Sequence, residues 1–181
     1  KVTVTAPPSG KTVLVVGAGP SGLSAAYHLR RMGHRVVVRE AGPMAGGMMR
    51  FGIPKYRLPR EILDAEVKRI EDMGVMFEFN AKVTDIEQAK KDFDAVFVAV
   101  GAHIGRRAHV PAAESAKIMD AVTMLEDVEL GEKPMLGRRV VIYGGGNTAI
   151  DAARTAKRLG AEEAVILYRR TRDKMPAHDS E

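Results

Sequence analysis

The stretch "VLVVGAGPSGLSAAYHLRRMGHRVVVRE", Val13 to Glu40, reads as strand, glycine turn, helix, glycine stop and strand. Its strands "VLVV" and "VVV" are continuously apolar, the pattern of parallel strands buried on both faces. Between them Gly22, Ala25, Leu29 and Met32 fall at helical spacing on one stripe, and Gly33 ends the helix as a C-terminal glycine cap. The turn carries Gly17, Gly19 and Gly22 as GxGxxG. In that pattern the first glycine permits the tight turn, the second lets a pyrophosphate approach the backbone, and the third lets helix and strand pack closely. The amides and dipole at the helix N-terminus then favour phosphate. Glu40 closes the second strand, where a carboxylate can accept hydrogen bonds from an adenosine ribose.

The same plan recurs at "VVIYGGGNTAIDAARTAKRLGAEEAVILYRR", Val140 to Arg170, whose strands "VVIY" and "AVIL" are likewise continuously apolar and expected to be buried on both faces. Here the turn is Gly144, Gly146 and Ala149, the GxGxxA variant, with Asn147 and Thr148 as additional donors at the helix start. Ala149, Ala152, Ala153, Ala156 and Leu159 form its stripe and Gly160 its stop. The informative difference comes after the second strand, where Arg169 and Arg170 stand in place of an acid. A ribose 2'-phosphate attracts guanidinium through charge-assisted hydrogen bonds, so the pair argues for NADP(H) over NAD(H). Two different dinucleotides in one chain imply hydride traffic between them, chemistry that a flavin and a nicotinamide supply. The first site suits a permanently held FAD and the second a mobile NADPH.

Between the repeats, "AGPMAGGMMRFGIPKYRLP" (Ala41 to Pro59) holds four glycines and three prolines without a sustained period, which favours a shaped loop approaching a ligand. A helix is expected from near Pro59, with Leu63, Val67 and Ile70 on one face and Gly74 as its stop. "VMFEFN" reads as an alternating strand, "AKVTDI" as a short strand, and "FDAVFVAVGA" as a buried strand ending in glycine. The segment His103 to Gly137 is more polar and irregular, which places a domain boundary there.

Composition narrows the chemistry. A chain of 181 residues with 45% hydrophobic and 28% charged residues is that of a globular protein. No apolar run approaches the roughly 20 residues that cross a bilayer, and "KVTVTAPPSGK" has no apolar signal core, so a cytoplasmic location is expected. The absence of cysteine removes a disulfide framework, a CxxC redox pair and any cysteine-ligated cluster within this chain. The histidines His28, His34, His103, His109 and His178 show no metal-ligand spacing, so no metal is expected. The net charge of +5 is spread over many segments without interleaved aromatics, which argues against nucleic acid. No Ser-His-Asp set and no paired carboxylates call for a hydrolytic mechanism, and no catalytic side chain is assigned.

"GAGPSGLSAAYHL", "GGMMRFGIPKYRLPREILDAEV", "YGGGNTAIDAARTAKRLGA" and "YRRTRDKMPA" together resemble the small (beta) subunit of NADPH-dependent glutamate synthase and related two-dinucleotide-domain FAD/NAD(P) oxidoreductases. The resemblance covers nearly the whole chain, with four motifs in the family's order. It implies that FAD lies along Gly17, Ala18, Gly19, Pro20, Ser21 and Gly22, with Glu40 and the turn of Gly46, Gly47 and Met48. It further implies that Ile53 and Leu58 sit close to the flavin nucleotide, that Val83 meets the adenine through its backbone, and that Ala99, Val100 and Gly101 close over the pyrophosphate. NADPH would occupy Gly144, Gly145, Gly146, Asn147 and Thr148 with Arg169 and Arg170. In that family the NADPH domain is inserted into the FAD domain and a later segment returns to complete the flavin site. That segment, and a cysteine-rich iron–sulfur region ahead of the first glycine turn, have no counterpart in this sequence.

The expected fold is therefore α/β: a Rossmann-like FAD-binding domain followed by the start of a second, inserted Rossmann-like NADPH-binding domain, truncated. The expected division is a linker at 1–10, the N-terminal part of the FAD-binding domain at 11–110, an interdomain connection at 111–136 and an incomplete NADPH-binding domain at 137–181. The resemblance implies an FAD-dependent oxidoreductase that accepts hydride from NADPH and passes electrons through FAD to an iron–sulfur or flavin partner, a larger electron-accepting subunit. The alternative is a non-catalytic nucleotide-binding fragment or module.

Overall fold

A computed structural model describes Val4, residues 6–102 and residues 117–180. His103, His109, parts of the expected 1–10 linker and the stretch 103–116 of the expected boundary region lie outside the described residues. The chain divides into two compact units, one of Lys1–Arg50 and Lys55–Ala102, the other of Phe51–Pro54 and His103–Glu181.

The first unit is a four-stranded parallel sheet, β1 (Thr12–Val16), β2 (Arg35–Arg39), β3 (Met76–Glu78) and β4 (Ala95–Val98), in the order β3-β2-β1-β4. The helices are α1 (Pro20–Arg31), α2 (Met48–Phe51, whose last residue is counted in the second unit), α3 (Arg60–Glu71) and α4 (Ile86–Asp92). β1 is central, and alternate side chains of β1 and β2 enter separate clusters. Val15, Val36 and Val38 pack with Leu23 and Ala26 of α1 and Ile70 of α3, while Leu14, Val16 and Val37 pack with Ala89 of α4. The apolar strands are thus buried on both faces, and each fully buried aliphatic side chain contributes about 1.5–3 kcal/mol. β4, expected as a buried strand, is instead an edge strand with Phe97 and Val98 exposed, because it pairs only with β1 among the described residues.

The helix at Arg60 and its face of Leu63, Val67 and Ile70 form as the spacing predicts. Two details differ. Of the expected α1 stripe, Gly22 is buried and Leu29 packs on the core, but the other buried residues are Leu23 and Ala26, and Met32 is 63% exposed. Gly22 lies against the glycine turn, and this contact fixes the helix's rotation. "AKVTDI" is not a strand: Asp85 accepts from the Gln88 amide at 2.9 Å and caps α4, a helix the alternation of the segment concealed.

The second unit contains α5 (Ala121–Glu129), β5 (Arg139–Tyr143), α6 (Asn147–Arg158), β6 (Glu163–Leu167) and a single 3-10 turn at Arg172–Lys174. β5 and β6 pair in parallel, with Ile142 opposite Ile166. Ala149, Ala152 and Ala153 of α6 meet Ile142 and the Met124 and Leu125 side chains of α5 in one core. The segment read as irregular therefore supplies a helix, capped by Asp120, which accepts from the Val122 and Thr123 amides. These strands are covered on one face, not two: Val141, Tyr143, Val165 and Leu167 are exposed. Both helices of the described second unit lie on the side of Ile142.

Candidate functional site

The first glycine turn is a point where four distant stretches meet. Gly17 takes the corner with φ +104° and donates its N–H to the Arg39 carbonyl at 2.8 Å. A Cβ on Gly17 would stand 2.4 Å from the Ala99 carbonyl oxygen, and one on Gly22 would stand 1.8 Å from the Gly17 carbonyl oxygen. Gly19 caps α1 without a side chain, and Pro20 supplies no N–H. The other amides of the first turn are left to an anion at the positive end of the helix.

Glu40 bonds to that turn directly. Its Oε2 accepts from the Ala18 amide at 2.7 Å and its Oε1 from the Gly42 amide at 2.8 Å. Each carboxylate oxygen keeps a further lone-pair site, so the group is held in one orientation and can still accept from hydroxyls. Ala18 is fully buried, with its N–H on Glu40 and its carbonyl accepting from Gly46 at 2.8 Å, so its main chain builds the turn. Gly47 crosses Gly19 so closely that a Cβ there would lie 2.7 Å from the Gly19 Cα. Met48 opens α2. On the opposite flank, Ala99 donates to Val16 at 2.8 Å, and Val100 and Gly101 follow it.

The structure therefore brings Gly17–Gly22, Glu40, Gly46, Gly47 and Ala99 together. Ile53 and Leu58 are half-buried in the turns after α2. Val83 lies in an extended stretch with its side chain packed on the Leu14 and Val37 cluster, which commits its side chain to the core. One residue the sequence left unassigned belongs to the surroundings of this site. Arg50 is buried, donates through Nε to the Ala45 carbonyl at 2.6 Å and pairs with Asp64. The available signal was a lone cation within the Gly-Met run.

The second turn repeats the first with modifications. Gly144 donates to the Leu167 carbonyl at 3.0 Å, as Gly17 does to Arg39, and Gly146 caps α6. Tyr168 lies over Gly145, where a Cβ would meet the ring at 2.6 Å, and its hydroxyl donates to the Lys174 carbonyl at 2.9 Å. The chain after the 3-10 turn comes back across the glycines. Ala177 donates to the Gly145 carbonyl at 3.1 Å and His178 to Asn147 Oδ1 at 2.9 Å. A backbone N–H can only donate, so the Asn147 amide is oriented with its NH₂ group free to face elsewhere. Thr148 is exposed on the first turn of α6.

An open cleft of about 190 Å³ lies beside this turn, lined by Tyr143, Gly144, Leu167, Tyr168 and Arg169. Arg169 thus borders the glycine turn from the end of the second strand, and Arg170 is exposed next to it. In the returning segment, the Thr171 side chain and then Lys174 hold the Asp173 carboxyl below its ordinary value. Among the described residues no group of His, Cys, Asp and Glu converges as a metal site, and no helix is long and apolar enough to cross a membrane.

Comparison with known proteins matches residues 11–181 to the pyridine nucleotide-disulphide oxidoreductase family. The chain is 45% identical to the beta subunit of an NADP(+)-dependent formate dehydrogenase from Moorella thermoacetica, over 98% of this chain and 26% of that protein. It is 35% identical to the small chain of NADPH glutamate synthase from Escherichia coli, over 93% of this chain and 39% of that one. It spans well under half the length of either. Among solved structures, Mycobacterium tuberculosis FprA in complex with NADPH superposes with a TM-score of 0.77 at 23% identity, covering 92% of this chain and 45% of that one. At that identity the likeness speaks for the fold.

Proposed function

This chain belongs to the pyridine nucleotide-disulphide oxidoreductase family, and from that premise we propose that it is the nucleotide-holding part of an NADPH-dependent flavoprotein oxidoreductase. FAD is assigned to the turn of Gly17–Gly22 and NADPH to Gly144–Thr148 with Arg169 and Arg170. Residues 11–110 then serve as the FAD-binding part and 137–181 as the NADPH-binding part, joined by 111–136 and preceded by a linker at 1–10. Bound together, the two cofactors supply hydride transfer from NADPH to FAD and stepwise release of electrons to an acceptor. The acceptor is an iron–sulfur protein or a larger subunit, a proposal supported by relatives named as a beta subunit and a small chain. A cytoplasmic site of action belongs to the same proposal.

The observation that carries it is the convergence on the first turn, set against the different chemistry of the second. The residues fit a dinucleotide, because Gly17, Gly22 and Gly47 let the backbone stretches of the turn approach more closely than any Cβ would allow, which leaves α1's amides at their meeting point without side chains in the way. Glu40, held by two amides, accepts from the ribose hydroxyls and would repel a 2'-phosphate. Arg169, at the corresponding strand end, attracts one. The chain has no cysteine, so no thiol pair within it takes part in the reaction.

Calorimetry tests the assignment. One FAD per chain is expected, followed by one NADP⁺ on the FAD-loaded protein without displacement of flavin. Displacement of FAD by NADP⁺ would show that the two ligands share a single turn and would contradict the assignment.

A further inference from the structure

The buried Arg50 has no part in the chemistry assigned above, yet it sits behind the loop that closes on the first turn. Its side chain is 7% exposed, and a cation so deeply buried is tolerated only with partners that satisfy it. Nε donates to the Ala45 carbonyl, the guanidinium pairs with the Asp64 carboxylate, and the Arg50 amide donates to the Gly47 carbonyl at 2.9 Å. The Arg50 carbonyl in turn accepts from Arg60 at 2.7 Å. Asp64 stands on α3 next to Leu63, which is in the core, so the carboxylate is carried by a fixed helix.

Gly46 and Gly47 lie between this cluster and the turn. A Cβ on Gly46 would come 3.0 Å from the Arg50 Cβ and 3.4 Å from its Nε. On the other side Gly46 donates to Ala18, and Gly47 abuts Gly19. A continuous line of contacts therefore runs from α3 through Asp64, Arg50, Gly46 and Gly47 to the glycine turn.

The geometry points to Arg50 as a positioning residue: with Asp64 as its anchor it presses Gly46–Gly47 onto the Gly17–Gly22 turn and so sets the spacing of the pyrophosphate cradle. This rests on the assignment of FAD to that turn. Arg50 contacts the loop at Ala45 and Gly47 and the Asp64 carboxylate, and through this loop it acts on the turn.

The test compares the full chain with its Arg50→Ala and Asp64→Asn variants by three readouts: thermal melting, hydrogen exchange at the Gly46 amide, and FAD affinity. Faster Gly46 exchange is expected in both variants. FAD affinity should fall roughly tenfold in Asp64→Asn and roughly a hundredfold in Arg50→Ala, as loss of one or two charge-assisted bonds implies. Millimolar guanidinium should restore both readouts in Arg50→Ala, because the vacated space keeps the Ala45 carbonyl and the Asp64 carboxylate, and equal sodium chloride should not. A merely structural role would show neither this rescue nor its ion specificity.

Unchanged Gly46 exchange in both variants overturns the proposal, as does faster exchange with unchanged FAD affinity. If Arg50→Ala fails to fold, Asp64→Asn, whose change is at a half-exposed side chain, decides by the same criteria. A wild-type chain that takes up no FAD overturns the flavin assignment itself and is recognised before any variant is compared.

Discussion

Replacement of Gly22 by alanine is expected to abolish FAD uptake and to destabilise the first unit by about 3 kcal/mol, the range of severe overpacking. The added Cβ would stand 1.8 Å from the Gly17 carbonyl oxygen, 3.0 Å from the Gly17 carbonyl carbon and 3.3 Å from Val15 Cγ1. None of these can give way cheaply. Gly17 is bonded to Arg39, has Ala99's backbone behind it and already occupies φ +104°. The strain must instead lift α1 from the sheet, which uncovers Leu23 and Ala26 and withdraws the helix N-terminus from the phosphate position. Gly10→Ala is the control, since at φ +73° its Cβ meets nothing within 4 Å. Only backbone strain of about 1 kcal/mol is expected there, with FAD uptake retained. Urea denaturation with flavin titration checks both, and a Gly22→Ala chain that binds FAD like the wild type would refute the close approach.

The double substitution Arg169→Ala with Arg170→Ala should reduce NADPH affinity by about a hundredfold, an estimate that discounts charge-assisted bonds of about 1.5–3 kcal/mol each for solvent screening. NADH affinity should change by less than about threefold, because NADH lacks the 2'-phosphate that the guanidinium groups attract. The loss should also weaken with rising salt, since both side chains are exposed. Fluorescence titration with the two nucleotides separates the outcomes. Equal losses for NADPH and NADH would mean that the arginines support the loop after β6 and do not read the 2'-phosphate.

Much of this fold was legible because its strongest signals are local. The glycine turns and the strand–helix–strand repeats are written in adjacent residues, and they form as the spacing predicts. What escaped depends on distant contacts. The rotation of α1 is set by Gly22 against Gly17, a contact that no periodicity records, so Leu23 and Ala26 turned inward and Met32 outward. α4 was hidden by the alternation of "AKVTDI", although Asp85 followed by Gln88 three residues later is a cap signature that could have revealed it. α5 was overlooked because its nine residues sit in a polar segment, and its Asp120 cap was the available clue. The one-sided burial of β5 and β6 follows from where α5 and α6 pack, which strand composition alone does not determine.

The site divides in the same way. Glu40's position at a strand end was plain, but not that both its oxygens are engaged by amides of the surrounding loops. The pairing of Arg50 with Asp64 and the return of Ala177 and His178 over the second turn lie outside any spacing rule, since each joins residues that are close only once the chain is folded.

Anaerobic reduction of the FAD-loaded protein tests the central claim most directly, because it requires the acid-bearing turn and the arginine-bearing turn to hold different, cooperating nucleotides. NADPH is expected to bleach the visible flavin band, with NADH at least about tenfold slower at equal concentration, the factor that about 1.4 kcal/mol of preference implies. Bleaching at equal rates by the two nucleotides, or none while both FAD and NADPH are bound, would contradict the account and leave a nucleotide-binding module without turnover.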